Sequence, residues 1–562
     1  MKRTGLKLAL ALGLIAGVII GLNIIGCGKG SGIPKAAKLA MDEISPERIK
    51  AHIRFLSDDL LEGRGTGTRG DDIASLYIAT QFALAGVKPA VGGSYFQTVP
   101  LVGITTLPGS SLRFSKRGRV IRPKVLDEYV MWTEKEVPRQ NVKGDLVFVG
   151  YGIVAPEYNW DDYKGVDVKD KILLMFVNDP PSKDPKFFGG KALTYYGRWT
   201  YKFEIAEKKG AIGAILIHTT PTASYGWDVV KNSWSREQTF VSRPNNPNLL
   251  ALEAWINKGT AEKLLKTCGY TLDELFAKAA KRDFKPIDLG VKVSATIKSK
   301  IRNIKTNNVI GIVEGSDPQL KEEAVLFTAH HDHLGIGPAM NGDNIYNGAV
   351  DNASGVATIL EIARAVASAK EKPKRSFIFI STACEEGGLL GSSYYATHPI
   401  VPPAKTAADI NIDAVSVWGK TADFTFLGLE KTTLEPIVAR MEKELGFKVA
   451  PDPHPEAGHY YRSDHFPLAK VGIPAINLNN GPTFIGERAE WAKRMREEYR
   501  KKHYHHPSDE FSPDWDFSGA AQVGRVALLF GWYIANAPEL PSFKKGDEFY
   551  QVRQESFKAV KQ

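Results

Sequence analysis

The sequence predicts an α/β protein: three layers, with a mixed, largely parallel sheet flanked by helices and a β-rich unit inserted into the chain. Three observations predict it. After Ile301, strand-like apolar runs alternate with helical stretches, the pattern of parallel sheets that gather functional groups at strand carboxyl ends. Residues 105–295 have another texture, short β-rich runs between Pro-, Gly- and Asn-rich stretches. The chain has 562 residues against roughly 150 for a typical domain, so it can bury more than one core. A hydrophobic share of 43% with 24% charged residues excludes a mainly disordered, a collagen-like and a multi-pass membrane chain.

Lys2, Arg3 and Lys7 precede a charge-free stretch from Leu8 to Ile25, the order of a secretory signal. It ends in Ile24-Ile25-Gly26-Cys27, which resembles a bacterial lipobox. That resemblance implies a signal peptide over 1–26, lipidation at Cys27, and a flexible tether over 27–42 that starts with Gly/Ser-rich residues. The alternative is an uncleaved anchor helix, since about 18 apolar residues nearly span a bilayer. Either way the body is expected to be exported and membrane-anchored, facing the periplasm or cell exterior.

From Ser45 the pattern is helical: Ser45 can cap, Pro46 suits the first turn, and Ile49, Ile53, Leu56 and Leu60 share a face. Gly65-Thr66-Gly67-Thr68-Arg69-Gly70 matches the dinucleotide fingerprint G-x-G-x-x-G, yet it follows a helix rather than a strand, and Ala90 stands where the acid should be. It reads as a loop. Asp71 or Asp72 is expected to cap a second helix with Ile73, Leu76, Tyr77 and Leu84 on one face, stopped by Gly86. Within the insertion, Asp162 to Ile172, Lys202 to Ala206 and Gly210 to Ala214 resemble a protease-associated domain. Beyond it, strands are expected at Val309–Val313, Val325–Thr328, Phe377–Ile380, Ile410–Ile412 and Ala475–Leu478, with a helix at Val356–Ala367.

The formal charge of +10 comes from 73 basic and 63 acidic residues, without a Lys/Arg block or basic helix stripe, which argues against nucleic acid as a partner. Three cysteines cannot make a disulfide framework.

Of the 12 histidines, half fall in two clusters, His330/His331/His333 and His503/His505/His506. The first follows an apolar strand. Asp351 sits in the Gly-flanked run Gly348 to Gly355 before a helix; Glu385 and Glu386 follow the strand at 377–380; Asp413 ends another. A parallel sheet would bring these groups to one edge, where converging imidazoles and carboxylates demand a divalent cation. Mixed nitrogen and oxygen donors suit zinc, with manganese or cobalt as alternatives. His331, His333, His503 and His506 read as neighbours of the ligands, Asp464 and His465 as site-lining or helix-capping groups, and Cys384 as a small buried residue.

The segment from His330 to Asp509 resembles the M28 family of co-catalytic zinc peptidases, in His330-x-Asp332, Asp351-Asn352-Ala353-Ser354-Gly355, Glu385-Glu386, Asp413, and Tyr504-His505-His506-Pro507-Ser508-Asp509. The resemblance implies two zinc ions bridged by Asp351, one completed by His330 and Asp413, the other by Glu386 and His505. It leaves Glu385 as general base and acid, with Asp332 orienting His330. Together with the texture of 105–295 and the lysines after 541, it divides the chain into a discontinuous peptidase domain (43–104 and 296–540), a protease-associated insertion (105–295) and a polar C-terminal tail (541–562). The implied activity is removal of N-terminal residues from a peptide or protein substrate. A carboxypeptidase- or dipeptidase-type relative, with Arg462 as a cation for the substrate carboxylate, and a non-catalytic binding ectodomain are the alternatives.

Overall fold

The computed structural model describes residues 32–184 and 186–559. The signal, the lipobox and Cys27 lie outside them. Among the described residues no helix is long and apolar enough to cross a membrane.

The central sheet is mixed. Ser376–Thr382, Ala324–His330, Thr406–Asn411 and Ala475–Asn480 lie side by side in parallel, so their carboxyl ends share one edge. Antiparallel strands flank them, Asp423–Leu427 on one side and the end of the long strand Ile287–Val313 on the other. Alternate residues of Ala324–His330 enter different cores. Val325, Phe327 and Ala329 join the layer built with helices Pro46–Leu56, Ser354–Ser368 and Ser518–Asn536; Ala324 and Leu326 face Tyr395, Ala396 and Leu468 on the other side. A strand buried on both faces has to be apolar throughout, as this one is until Thr328 and His330.

The strand Ile287–Val313 runs through two units. Its second half pairs with Phe96–Thr106 and its first half with Ser111–Lys116 and Arg139–Phe148, the partner changing at Ser299. Around the first half lies a separate hydrophobic core, built on the parallel strands Ile172–Phe176, Gly213–His218 and Leu252–Asn257.

Four sequence expectations need correction. Residues 35–42, read as tether, form a helix that buries Ala37, Ala40 and Met41. Leu60 lies beyond the end of helix Pro46–Leu56 and is 80% exposed. The next helix, Arg69–Leu84, starts after Thr68, not at Asp71 or Asp72, and buries its small residues Gly70, Ala74, Ser75 and Ala79 with Ile78 and Phe82, leaving Leu76 and Leu84 outside. The polar tail is a packed segment: Phe543 and Phe549 are buried, and Arg553, in helix Tyr550–Ala559, donates to the carbonyls of Pro403, Thr406 and Pro541.

Candidate metal centre

Every donor expected from the sequence comes from the common edge or a loop beside it. His330 ends its strand and is 1% exposed. Glu385 and Glu386 follow Ser376–Thr382 through Cys384, whose φ of 54° turns the chain. Asp413 lies just past Thr406–Asn411. Asp351 sits in the kinked stretch Ala349–Ala353 before helix Ser354–Ser368, and the Asp351–Asn352 peptide is cis. His505, at φ 58°, follows helix Ala489–Lys502.

The distances divide these groups into two sets that share Asp351. His330 Nε2 lies 3.2 Å from Asp351 Oδ1 and 3.4 Å from Asp413 Oδ1. His505 Nε2 lies 3.2 Å from Asp351 Oδ2 and 3.3 Å from Glu386 Oε2. Two ligands about 2.05 Å from a tetrahedral zinc stand about 3.3–3.4 Å apart, so both sets have the edge length of zinc coordination. His333 stands close to the second set, with Nδ1 2.7 Å from Glu386 Oε1, shorter than that edge. Neither atom makes a hydrogen bond, although both are buried. Such orphaned donors and acceptors fit a cation site. His333 therefore joins the candidate ligands, which the His-x-Asp register had not favoured.

Electrostatics agree. Burial alone would lower the His330 imidazole, but Glu385, Asp351 and Asp413 raise it well above its ordinary value. Against the same opposition from burial, Asp351 and Glu386 raise His505 to about 10. The carboxylates thus call for positive charge. Glu385 behaves differently: burial pushes its carboxyl well above the usual range, with Glu386, Asp413 and Asp464 adding to the effect and His330 opposing it.

The surrounding groups fix the donors. Asp332 is expected to orient His330 with its carboxylate; instead its carbonyl faces His330 Nδ1 at 3.1 Å, and the carboxylate, 3.8 Å away, accepts the amides of Glu385 and Glu386 at 2.9 and 3.3 Å. Main-chain donors satisfy a carboxylate better than one imidazole edge. Asp409 and Asn411 accept from Thr328, and Ser463 donates to Asp413 at 2.7 Å. Asp464 stands at the N-cap position of helix His465–Lys470, but its carboxylate accepts from Thr382 and Ser392 and makes no capping bond, while His465, the first residue of that helix, is fully buried. His331 lies between Ser75, Asp71 and Ser381.

Tyr504 was not singled out from the sequence. Its ring stacks on His505 with centroids 3.9 Å apart, and the residue is half exposed; burial, then Asp351, Glu386, Asp413 and Glu385, raise its hydroxyl above the ordinary range. Its signal was the residue type beside His505. Arg462 is exposed.

Residues 308–530 match the model of peptidase family M28. Aminopeptidase YwaD of Bacillus subtilis is 30% identical over 221 residues, 38% of this chain and 42% of that protein. Leupeptin-inactivating enzyme 1 of Streptomyces exfoliatus is 28% identical over 187 residues, 33% of this chain and 38% of that protein. The chain thus spans about two fifths of the length of these curated relatives. Among solved structures, an aminopeptidase from Aneurinibacillus sp. strain AM-1 aligns over 90% of this chain and 97% of its own, with 18% identity and a TM-score of 0.47.

Proposed function

We propose that the protein is a zinc metallopeptidase with a two-ion centre that removes N-terminal residues from peptides. The observation that carries this reading is the pair of donor sets sharing Asp351, each spaced as zinc ligands are. His330, Asp351 and Asp413 would hold one ion, and Asp351, Glu386 and His505 the other. When bound, the ions supply Lewis acidity that acidifies water and polarises a carbonyl.

The chain's own groups do the rest. Glu385, held beside the ligand carboxylates and disposed to keep a proton, accepts one at its carboxylate and returns it to the leaving amine. Asp332 fixes the turn that presents it by binding its amide. Tyr504, stacked on His505, is the candidate to donate its hydroxyl to an oxygen that gains negative charge. The aminopeptidase relatives support cleavage at a free N-terminus. We also read the insertion as a protease-associated domain and the N-terminal residues as the anchor of an exported lipoprotein, on the sequence motifs alone.

The test compares a free-amine peptide with its N-acetylated counterpart on zinc-loaded protein. Release from the free-amine peptide alone supports the proposal; equal rates remove the aminopeptidase assignment, and no hydrolysis of either removes the peptidase.

A further inference from the structure

The turn around the G-x-G-x-x-G look-alike has no role in the reading above, yet it lies against the centre. Arg64, just before it, is completely buried. Its Nε donates to the His331 carbonyl at 2.7 Å, Nη1 to the carbonyls of Asn347 at 2.6 Å and of Leu56, and Nη2 to Gly348 at 2.9 Å. One guanidinium therefore joins the loop that follows His330 to the loop that precedes Asp351. These two segments are the ends of the hairpin formed by Gly335–Met340 and Asp343–Tyr346, and they carry His330 and Asp351; Arg64 ties them together at its open end.

The chain is shaped to deliver this side chain. Glu62, Gly63 and Arg64 are all left-handed, with φ of 49°, 68° and 51°. A Cβ on Gly63 would stand 2.4 Å from the Tyr346 carbonyl oxygen and 2.8 Å from that of Gly335, so only glycine lets the turn close on the hairpin between the ligand loops. Consecutive residues in a rare conformation persist where the surroundings over-determine them, and such places are often functional. Next in the chain, Gly65 bridges to His333, and Thr66 Oγ1 donates to Asp332 Oδ2 at 3.3 Å. Gly67 donates its amide to Asp71 Oδ2 at 2.8 Å, and Asp71 Oδ1 lies 3.2 Å from His331 Nε2.

We propose that Arg64 is a positioning residue for the metal centre: its fork of donors sets the spacing between the His330 and Asp351 loops, and so the fit of both donor sets to their ions. This rests on reading the centre as a zinc site. Lysine could keep the charge, but its single ammonium cannot reproduce a planar fork that reaches both loops. The charge contributes as well. Burial pulls the guanidinium down to about 10, while Asp509, Asp332, Asp351 and Glu386 favour its charged form.

The experiment measures zinc affinity and stoichiometry by chelator competition on the full chain, for wild type, Arg64→Lys and Arg64→Gln, with far-UV circular dichroism as the check on folding. Wild type failing to bind zinc would sink the metal reading itself. With wild type binding, the expected result is folded variants whose zinc affinity falls by roughly tenfold to a hundredfold, less for Arg64→Lys than for Arg64→Gln. Folded variants that bind zinc within twofold of wild type overturn the positioning role. So does a loss of fold in both variants that saturating zinc fails to restore, since Arg64 would then serve fold stability alone.

Discussion

Asp509 grips the backbone of Asp351: its carboxylate accepts the Asp351 amide at 3.1 Å and the Val350 amide at 2.9 Å, and Tyr499 donates to it at 3.1 Å. The turn that presents His505 and the turn that presents Asp351 are thereby one unit. Asp509→Ala would leave two buried amides unpaired, at a cost of about 1–3 kcal/mol each. Thermal unfolding of the zinc-free protein should show that loss, and zinc bound through His505 should dissociate faster than in wild type. Unchanged melting and dissociation would show that the two turns hold their places independently.

Glu385 belongs to neither donor set, although His330, Glu386 and Asp413 all act on its carboxyl. Replacing it with glutamine keeps its size and removes the proton site. Metal content should stay at the wild-type level while kcat falls by about 10²–10⁴. Retention of more than a tenth of wild-type kcat would take Glu385 out of the reaction.

Two imidazoles compete for the second donor set. His505 matches the zinc edge to both Asp351 and Glu386, whereas His333 approaches Glu386 more closely than that edge. His505→Ala is therefore expected to lose one zinc per chain, and His333→Ala to keep two with weaker binding. The reverse pattern, read by elemental analysis, would assign the ligand to His333.

His465 predicts a pH dependence. Burial pulls its imidazole down to about 3 from an ordinary 6.5, so the folded protein keeps it neutral where the unfolded chain protonates it. The unfolded state then binds more protons between those values, and stability rises with pH in that window. This contribution is complete above pH 6.5 and is lost as pH falls toward 3. Between pH 7.5 and 5 it amounts to about 2 kcal/mol. Urea unfolding at the two pH values should show a smaller stability loss for His465→Gln than for wild type by that amount. Equal losses would mean that the imidazole titrates alike in both states.

What the sequence displayed and what it hid have physical causes. The strand at Ala324–His330 is apolar on both faces, so it stands out, and the first polar residues after such strands mark the functional edge. Helix Arg69–Leu84 misled because it packs closely: Gly70, whose Cβ would lie 1.7 Å from the Leu61 carbonyl oxygen, and Ser75 face inward, and large Leu76 and Leu84 are left for the surface. A reading that sends large apolar residues inward selects the wrong face there. Arg64 was hidden because its partners are all main-chain carbonyls, which carry no side-chain signature. The segment after residue 541 looked like a tail because its lysines outnumber its anchors, Phe543, Phe549 and Arg553.

Anomalous diffraction at the zinc edge from crystals grown with zinc tests the central claim most directly. Two peaks are predicted, one among His330, Asp351 and Asp413, the other among Asp351, Glu386 and His505. A single peak, or none touching Asp351, would contradict the shared-carboxylate centre.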